Sequence, residues 1–353
     1  MKVLHLIYDH IKNPWVGGGG AVRAYEIYKR LSQKGHTITV VSGLFPGAQD
    51  YREGNLEFKF VGNYRNYVVS VFSYAYKAQK FLREKAKDYD IVVEDFAPWN
   101  PVFSYRYKSV EKVVLQLHHK EEKEILKRYT IAGYPFYLIE RYYPKKFKNI
   151  IFASQSCKNA FGLEGIIIGN GINDDLLKYE INMGEYILYV GRLDIYNKGL
   201  DILIDAVENY PLVIAGKGKD EEEVLNRIKS RKNIKFVGYV NEENKIEYIL
   251  NSKFLIMPSR FEGQGIVALE AAALGKPVIV SDIQGLKYVV ENGFGLSFHK
   301  DNVKDLSDKI KYLWNNPDLI NEMGRRGKTF ARNFVWDNIA NKYEEYLLSI
   351  LNT

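Results

Sequence analysis

Residues 259–281 read S-R-F-E-G-Q-G-I-V-A-L-E-A-A-A-L-G-K-P-V-I-V-S, and that run admits few architectures. It begins at the end of a strand and turns at Gly263 and Gly265. It continues as a helix of small and apolar residues and closes on a second strand at 278–281. A strand, a crossover helix and a strand make a parallel pair, so the chain needs a sheet covered by helices on both faces.

The same alternation runs through the whole chain. Apolar runs at 3–8, 37–42, 56–61, 91–94, 113–117 and 150–153 predict strands, with helices between them such as 21–33 and 68–85. The pattern restarts at 186–190, 212–215, 234–237, 254–257 and 278–281, with helices at 200–208, 220–229 and 266–274. The fold class expected is α/β, with two Rossmann-like halves at 1–172 and 173–333. The seam falls in the polar stretch 173–185, just after a Gly-Asn-Gly turn. Ile339, Ala340, Tyr343, Leu347 and Leu348 have helical spacing and predict a last helix within 334–353. In open sheets of this kind ligands bind beyond the carboxyl ends of the strands. Gly17 to Gly20, Gly191-Arg192-Leu193, Gly216-Lys217-Gly218 and the turn at 262–265 all follow strands. Two sets of strand ends facing across a cleft would suit a two-substrate reaction.

Composition narrows the partners. With 353 residues the chain suits about two domains. Its 46% hydrophobic and 26% charged residues are those of a soluble globular protein, and no apolar run is long enough to span a bilayer. Met1-Lys2 leads straight into a strand, so no leader is expected and a cytoplasmic setting is the default. One cysteine, Cys157, excludes an internal disulfide and a cysteine metal cage, and reads as a small buried residue. A net charge of +7 and a pI near 9.0 leave three partner classes: nucleic acid, an anionic membrane face, and phosphorylated substrates.

The candidate chemistry is that of an anion with hydroxyls attached. A glycine turn opening a helix offers free backbone N–H groups at the positive end of the dipole. Glu262 lies in that turn. Glu270 lies on the helix, its side chain leaning back toward the helix N-terminus. Acids so placed can hold hydroxyls on either side of a bound phosphate, which suggests a nucleotide-sugar. Arg192 and Lys198, six residues apart, can carry a diphosphate without a metal, the guanidinium as a fork and the ammonium as a point charge. The glycines at 17–20 are not spaced as a dinucleotide fingerprint, and no acid ends the next strand to hold a ribose. His118 and His119 end a strand, and adjacent side chains there point to opposite sides. No metal-spaced cluster is present in the sequence. Glu94 and Asp95 end another strand, where capping a loop is the simpler role.

In chain order, the G-G loop at Gly18-Gly19, Gly35-His36, His118, Asn170-Gly171, Gly191-Arg192-Leu193, Lys198-Gly199, Gly216-x-Gly218, Gly238, Pro258-Ser259, E-G-x-G at 262–265, E-A-A-A-x-G-x-P-V at 270–278 and Trp336 resemble the retaining glycosyltransferases of the GT-B fold, specifically the large family 4. The resemblance implies that Arg192 and Lys198 bind the donor diphosphate and stabilise its charge as it leaves. It implies that Glu270 binds the ribose, and that Glu262 holds hydroxyls of the transferred sugar with the backbone at Gly263, Gly265, Ile266 and Val267. Gly216 and Gly218 would line the donor site, and Gly238, Tyr239 and Val240 the base pocket. Gly18 and Gly19 would approach a phosphate or the acceptor, and His118 would touch the donor sugar or the reacting centre. The last helix would return to the first domain. Transfer would retain anomeric configuration and need neither metal nor cofactor. The partners would be a nucleotide-diphosphate sugar and a sugar, lipid-linked or small-molecule acceptor, in glycan, glycolipid or polysaccharide biosynthesis.

This chain departs from that pattern at Gln264, where aromatic residues or proline are common, at Gly169 and Asn173 around Asn170-Gly171, at 284–288, and at His119. These positions bear on the sugar and the acceptor rather than on the diphosphate. Two other classes remain: a GT-B-fold nucleotide-sugar epimerase, and a basic nucleic-acid binder, which the dispersed basic residues disfavour. Peripheral membrane contact is a further expectation. Tyr67, Phe72, Tyr74, Tyr76 and Phe81 mingle with Arg65, Lys77, Lys80 and Arg83, and P-K-K-F-K follows at 144–148. The alternative is a helix packed on the sheet.

Overall fold

The computed structural model describes residues 1–15 and 18–352. Gly17, the first glycine of the run ahead of the first helix, lies outside the described residues. The chain divides into two units, Met1–Asn170 with Trp336–Thr353, and Gly171–Val335.

The first unit is built on eight strands: β1 (Lys2–Leu6), β2 (Thr37–Gly43), β3 (Tyr51–Glu53), β4 (Leu56–Val61), β5 (Ile91–Asp95), β6 (Val113–Leu117), β7 (Asn149–Phe152) and β8 (Ile166–Ile167). Their order is β3-β4-β2-β1-β5-β6-β7-β8, parallel except for the β3–β4 pair. Adjacent residues feed opposite faces. Val3, Val40 and Val93 lie under the helix Gly19–Gln33, while Leu4, Val41 and Val92 pack toward the helix Tyr67–Lys85. Burial on both faces is why these strands read as unbroken apolar runs.

The second unit holds β9 (Tyr186–Val190), β10 (Leu212–Ala215), β11 (Ile234–Gly238), β12 (Ser252–Met257), β13 (Val278–Ser281) and β14 (Gly295–Phe298). All pair in parallel in the order β11-β10-β9-β12-β13-β14. The strand order reverses between β9 and β12, so the ends of those two strands flank the crevice where such sheets take ligands.

Three strands escaped the sequence reading. β3 is polar and β8 has only two half-exposed residues, so neither shows a run of buried apolar positions. β14 is four residues, G-L-S-F, that gain strand geometry by pairing with β13.

The last helix, Trp336–Leu351, packs on Gly19–Gln33 within the first unit. Trp336, Ile339, Ala340, Tyr343, Leu347 and Ile350 are its buried face. Leu348, counted in the apolar stripe, instead points outward and is 37% exposed, and Ile350 takes the inner position. Tyr343 donates or accepts a hydrogen bond with Tyr28 at 3.1 Å, and its ring lies edge-on to that of Tyr28. Arg30 reaches Asp337, and Lys34 and His36 both reach Glu344. Truncating a buried aromatic of this kind leaves a cavity and removes one of two partners of the Tyr28 hydroxyl, which keeps His5 Nδ1 at 2.8 Å. Tyr343→Ala is expected to cost about 3–5 kcal/mol in denaturant unfolding of the first unit, and Leu348→Ala under about 1 kcal/mol.

Candidate functional site

In the second unit the loops after β9, β10 and β12 lie so close that side chains are excluded. A Cβ on Gly216 would sit 1.8 Å from the Gly191 carbonyl oxygen, and one on Gly218 2.2 Å from that of Leu193. The Gly191 amide donates to Ala215 O at 3.0 Å, and Leu193 N to Lys217 O at 3.0 Å. The glycine character of Gly216 and Gly218 is thus accounted for by backbone running against backbone. Arg192 leaves this packed corner exposed, and among the described residues its guanidinium has no ion-pair partner. Its carbonyl accepts the Tyr189 hydroxyl at 2.9 Å, which fixes the turn from below.

Lys198 ends a one-turn helix, Ile195–Lys198, that Asp194 caps by accepting from Asn197 N at 3.0 Å. Gly199 follows at φ +63°, and a Cβ there would meet the Pro258 carbonyl at 2.1 Å. This close approach carries the Lys198 ammonium to Glu262, 2.5 Å from Oε2, and Ser259 Oγ lies 3.5 Å from the same oxygen. Arg260 locks the arrangement. Its guanidinium pairs with both oxygens of Asp201 (3.1 and 2.8 Å), with Asp301, and with the carbonyls of Ile195 and Tyr196. The Ile195 carbonyl also accepts from Gly199 N at 2.9 Å, so Arg260 adds a second donor at the end of this turn. Arg260 was missed in the sequence because its partners lie 41 to 65 residues away.

Helix Ile266–Ala273 begins at Gly265, whose φ of +71° suits glycine. Below the turn, a Cβ on Gly285 would lie 1.9 Å from Glu262 O, and Tyr288 donates its hydroxyl to Gln264 O at 2.7 Å. Gln264 and Gly285, both departures from the family pattern or next to one, therefore shape the floor of the turn. Ile266 and Val267 open the helix, where the first amides lack intrahelical acceptors.

Glu270 is the one charged residue in this apolar helix, and it is 9% exposed. Its Oε1 accepts from Lys245 Nζ at 2.8 Å; its Oε2 is buried and has no hydrogen-bond partner among the described residues. Burial raises the carboxyl's pKa, and the Lys245 ammonium opposes the rise. Burial would lower Lys245, but Glu270 and Glu242 outweigh it and hold the ammonium above its ordinary value. An acceptor oxygen left open in a buried carboxylate is suited to a hydroxyl donor. Lys245, on the helix Glu242–Leu250, was invisible as a site residue because nothing local in the sequence points at Glu270. At the neighbouring rim Gly238 ends β11 at φ +73°, Tyr239 is 67% exposed with Lys217 Nζ 4.6 Å from its ring centroid, and Val240 is half-buried.

The first unit has its own cluster at the ends of β1, β5 and β6. His118 donates from Nε2 to Asp95 Oδ1 at 2.7 Å, and Gln116 donates to Asp95 Oδ2 at 2.7 Å. His5 Nε2 lies 3.5 Å from Asp95, and His5 Nδ1 meets the Tyr28 hydroxyl at 2.8 Å. Burial alone would raise the Asp95 carboxyl; His118 and His5 outweigh it and hold it well below the usual carboxylate range. His119 turns away, exposed, toward Glu121. Glu94 caps the following loop, accepting from Val102 N, Ser104 N and the Tyr143 hydroxyl. Asp95, in contrast, orients His118 rather than capping a loop. Gly18 is the N-cap of Gly19–Gln33, and Gly19 is exposed at its start. It is Gly20 whose Cβ position comes 3.5 Å from His118 Nε2. Arg23, fully buried on that helix, donates to Gly169 O. Among the described residues no group of three His, Cys, Asp or Glu converges to hold a metal ion.

The Glu270–Lys245 pair makes a signed prediction. A carboxyl whose pKa rises on folding contributes stability below its unfolded value and loses it as pH climbs through the folded value. Lys245→Met removes the group that limits that rise. The variant is expected to unfold more easily by about 3 kcal/mol near pH 8 and by clearly less near pH 5, where Glu270 takes up a proton. Denaturant titrations at both pH values check it, and equal gaps contradict it.

Comparison with known proteins agrees with this layout. Residues 171–330 match the family described as glycosyl transferases group 1, and residues 17–176 match glycosyltransferase family 4. An uncharacterized glycosyltransferase of Methanocaldococcus jannaschii is 33% identical over 242 residues, 64% of this chain and 67% of that protein. The D-rhamnosyltransferase WbpZ of Pseudomonas aeruginosa is 34% identical over 155 residues, 42% of this chain and 40% of that protein. Among solved structures, sucrose-phosphate synthase from Thermosynechococcus elongatus superposes with a TM-score of 0.85 at 18% identity, covering 100% of each chain. Anabaena HepE, determined in complex with UDP-glucose, superposes with a TM-score of 0.74 at 17% identity over 99% of this chain and 100% of that one. The crossover-helix sheets, the strand-end site and these matches together place the chain among the GT-B glycosyltransferases of the family 4 type.

Proposed function

We propose that this glycosyltransferase moves a sugar from a nucleoside-diphosphate donor to an acceptor hydroxyl in the cytoplasm, with retention of anomeric configuration and without a metal ion. The observation that carries the proposal is the pairing in the second unit: the free Arg192 guanidinium and the Lys198–Glu262 contact at one strand end, and Glu270 with one buried oxygen open beside a glycine-led helix start. The structural neighbour bound to UDP-glucose supports a nucleotide-sugar donor of that kind.

The roles follow from charge. As the bond from sugar to phosphate stretches, positive charge spreads over the ring and negative charge builds on the diphosphate. Arg192, Lys198 and the helix N-terminus at Ile266 and Val267 are assigned to that negative charge, already fixed in place before reaction. Glu270 takes ribose hydroxyls through its open oxygen. Glu262 takes hydroxyls of the transferred sugar while holding Lys198. The departing phosphate accepts the acceptor proton on the face it leaves, which gives retention and requires little acid–base machinery from the protein. In the first unit Asp95 sets the tautomer of His118, which is assigned a hydrogen bond to a hydroxyl of a sugar substrate.

Donor binding stabilises the folded protein by about 2.7 kcal/mol at a hundredfold excess over Kd. A thermal-shift screen of nucleotide-sugars is expected to find one that raises Tm. Lys198→Ala and Glu270→Ala should each abolish that shift with the fold intact, and Lys198→Ala should lower kcat by about 100- to 1000-fold. Activity should survive a chelator, and NMR of the product should show the donor's anomeric configuration. Unchanged shifts in both variants, or an epimerised donor formed without acceptor, would overturn the assignment. Asp95→Asn is expected to lower kcat/KM by about tenfold or more, because it loosens the His118 ring assigned to a sugar hydroxyl while leaving Arg192, Lys198 and Glu270 in place.

A further inference from the structure

The first unit leaves a large apolar face uncovered, assembled from two segments far apart in sequence. Helix Tyr67–Lys85 buries Val71, Tyr74, Ala78 and Leu82 against the sheet. Tyr74 and Phe81, counted earlier among aromatics for a surface, thus belong to the core or its margin. The opposite stripe, Val68, Phe72 and Tyr76 at four-residue spacing, is 59%, 52% and 69% exposed. The second segment is a helical hairpin, Glu124–Tyr129 and Tyr134–Tyr142, closed so tightly that a Cβ on Gly133 would lie 2.7 Å from Ile125 O. Its tip presents Ile131 at 90% exposure, with Tyr129 and Tyr134 beside it. The two segments join through rings: Phe72 lies 6.4 Å from Phe136, and Phe136 lies 4.9 Å from Trp99, which stands edge-on to Tyr129 at 5.1 Å.

Charge is concentrated on the same two segments. Residues 64–85 carry five Lys and Arg against one Glu, and residues 120–148 carry eight against four. The surplus of eight exceeds the +7 of the whole chain, so the remainder of the molecule is about neutral. Arg141 and Lys145 lie 5.6 and 5.4 Å from the Tyr142 ring centroid, keeping cations at the border of the apolar face. The lysines of P-K-K-F-K contribute charge only, since Pro144 and Phe147 are buried.

We propose that this face docks on an anionic phospholipid surface, with Ile131 at the hairpin tip and the Val68–Phe72–Tyr76 stripe entering the headgroup boundary. Exposed aliphatic side chains favour lipid over nucleic acid, because valine and isoleucine do not stack on bases. No helix among the described residues is long and apolar enough to cross a membrane, so the contact is peripheral. The inference rests on the exposed face alone and is independent of the donor assignment; for the catalytic reading it favours an acceptor held at a membrane.

The test is flotation of the full chain with vesicles of phosphatidylcholine alone or enriched in phosphatidylglycerol. The wild type is expected to float with the anionic vesicles and remain behind with the neutral ones. Phe72→Ser combined with Ile131→Ser should reduce the floated fraction at least about tenfold. Lys77→Glu and Lys80→Glu should each weaken binding about fivefold or more, increasingly so at low salt. Tyr312→Ser, removing a tyrosine 53% exposed on the second unit, should leave flotation unchanged. Circular dichroism and an unchanged thermal unfolding midpoint confirm that each variant is folded. Equal flotation with neutral vesicles, or no loss in the double variant, would overturn the proposal. So would the same substitutions abolishing binding to a single-stranded oligonucleotide, or abolishing a concentration-dependent dimer.

Discussion

Four carbonyl oxygens in the second unit, on Gly191, Leu193, Pro258 and Glu262, lie where a side chain on the facing residue would begin. The Cβ positions of Gly216, Gly218, Gly199 and Gly285 fall 1.8, 2.2, 2.1 and 1.9 Å from them. Loops packed backbone to backbone hold their shape without relying on flexible side chains. Arg192, Lys198 and Glu262 all spring from this braced set, and Arg260 ties it to Asp201 and Asp301. In the proposed reaction, electrostatic stabilisation of a leaving diphosphate requires charges in place before they are needed. The glycines are what permit that placement.

Each unit also commits a carboxylate to a low-dielectric setting and supplies its own hydrogen-bond donors to it. Glu270 has Lys245; Asp95 has His118, His5 and Gln116. Such pairs add little to net stability, since desolvation offsets the attraction. What they supply is direction. Glu270 keeps one oxygen open and immobile, and His118 is held in one ring orientation. The apolar helix around Glu270 is the cause of both its raised pKa and its fixed position, because all of Ala268 to Ala273 are buried around it.

Much of the architecture was legible because it is local. Strands buried on both faces must be apolar runs, and β4, β6, β9, β10 and β13 coincide with the runs read from the chain. The glycine turn at 263–265 and the helix after it were legible for the same reason. β3, β8 and β14 were not, since pairing rather than composition makes them strands. Lys245 and Arg260 were hidden by distance along the chain, and Asp95 was read with Glu94 as a loop cap because both acids end one strand; the structure gives that role to Glu94. Tyr74 and Phe81 were not separable from Phe72 and Tyr76 by residue type, only by the helix face they occupy.

The sequence by itself determined the alternation of strand and helix, the positions of the strand-end glycines and the residue types able to meet a diphosphate. Those depend on backbone sterics and on hydrophobic periodicity, which act over a few residues. Tertiary structure alone decided which charges meet: Lys198 with Glu262, Lys245 with Glu270, His118 with Asp95. It also decided which aromatics stay at the surface. Coulomb attraction and burial depend on separation in space, and 23 to 64 residues of chain lie between these partners.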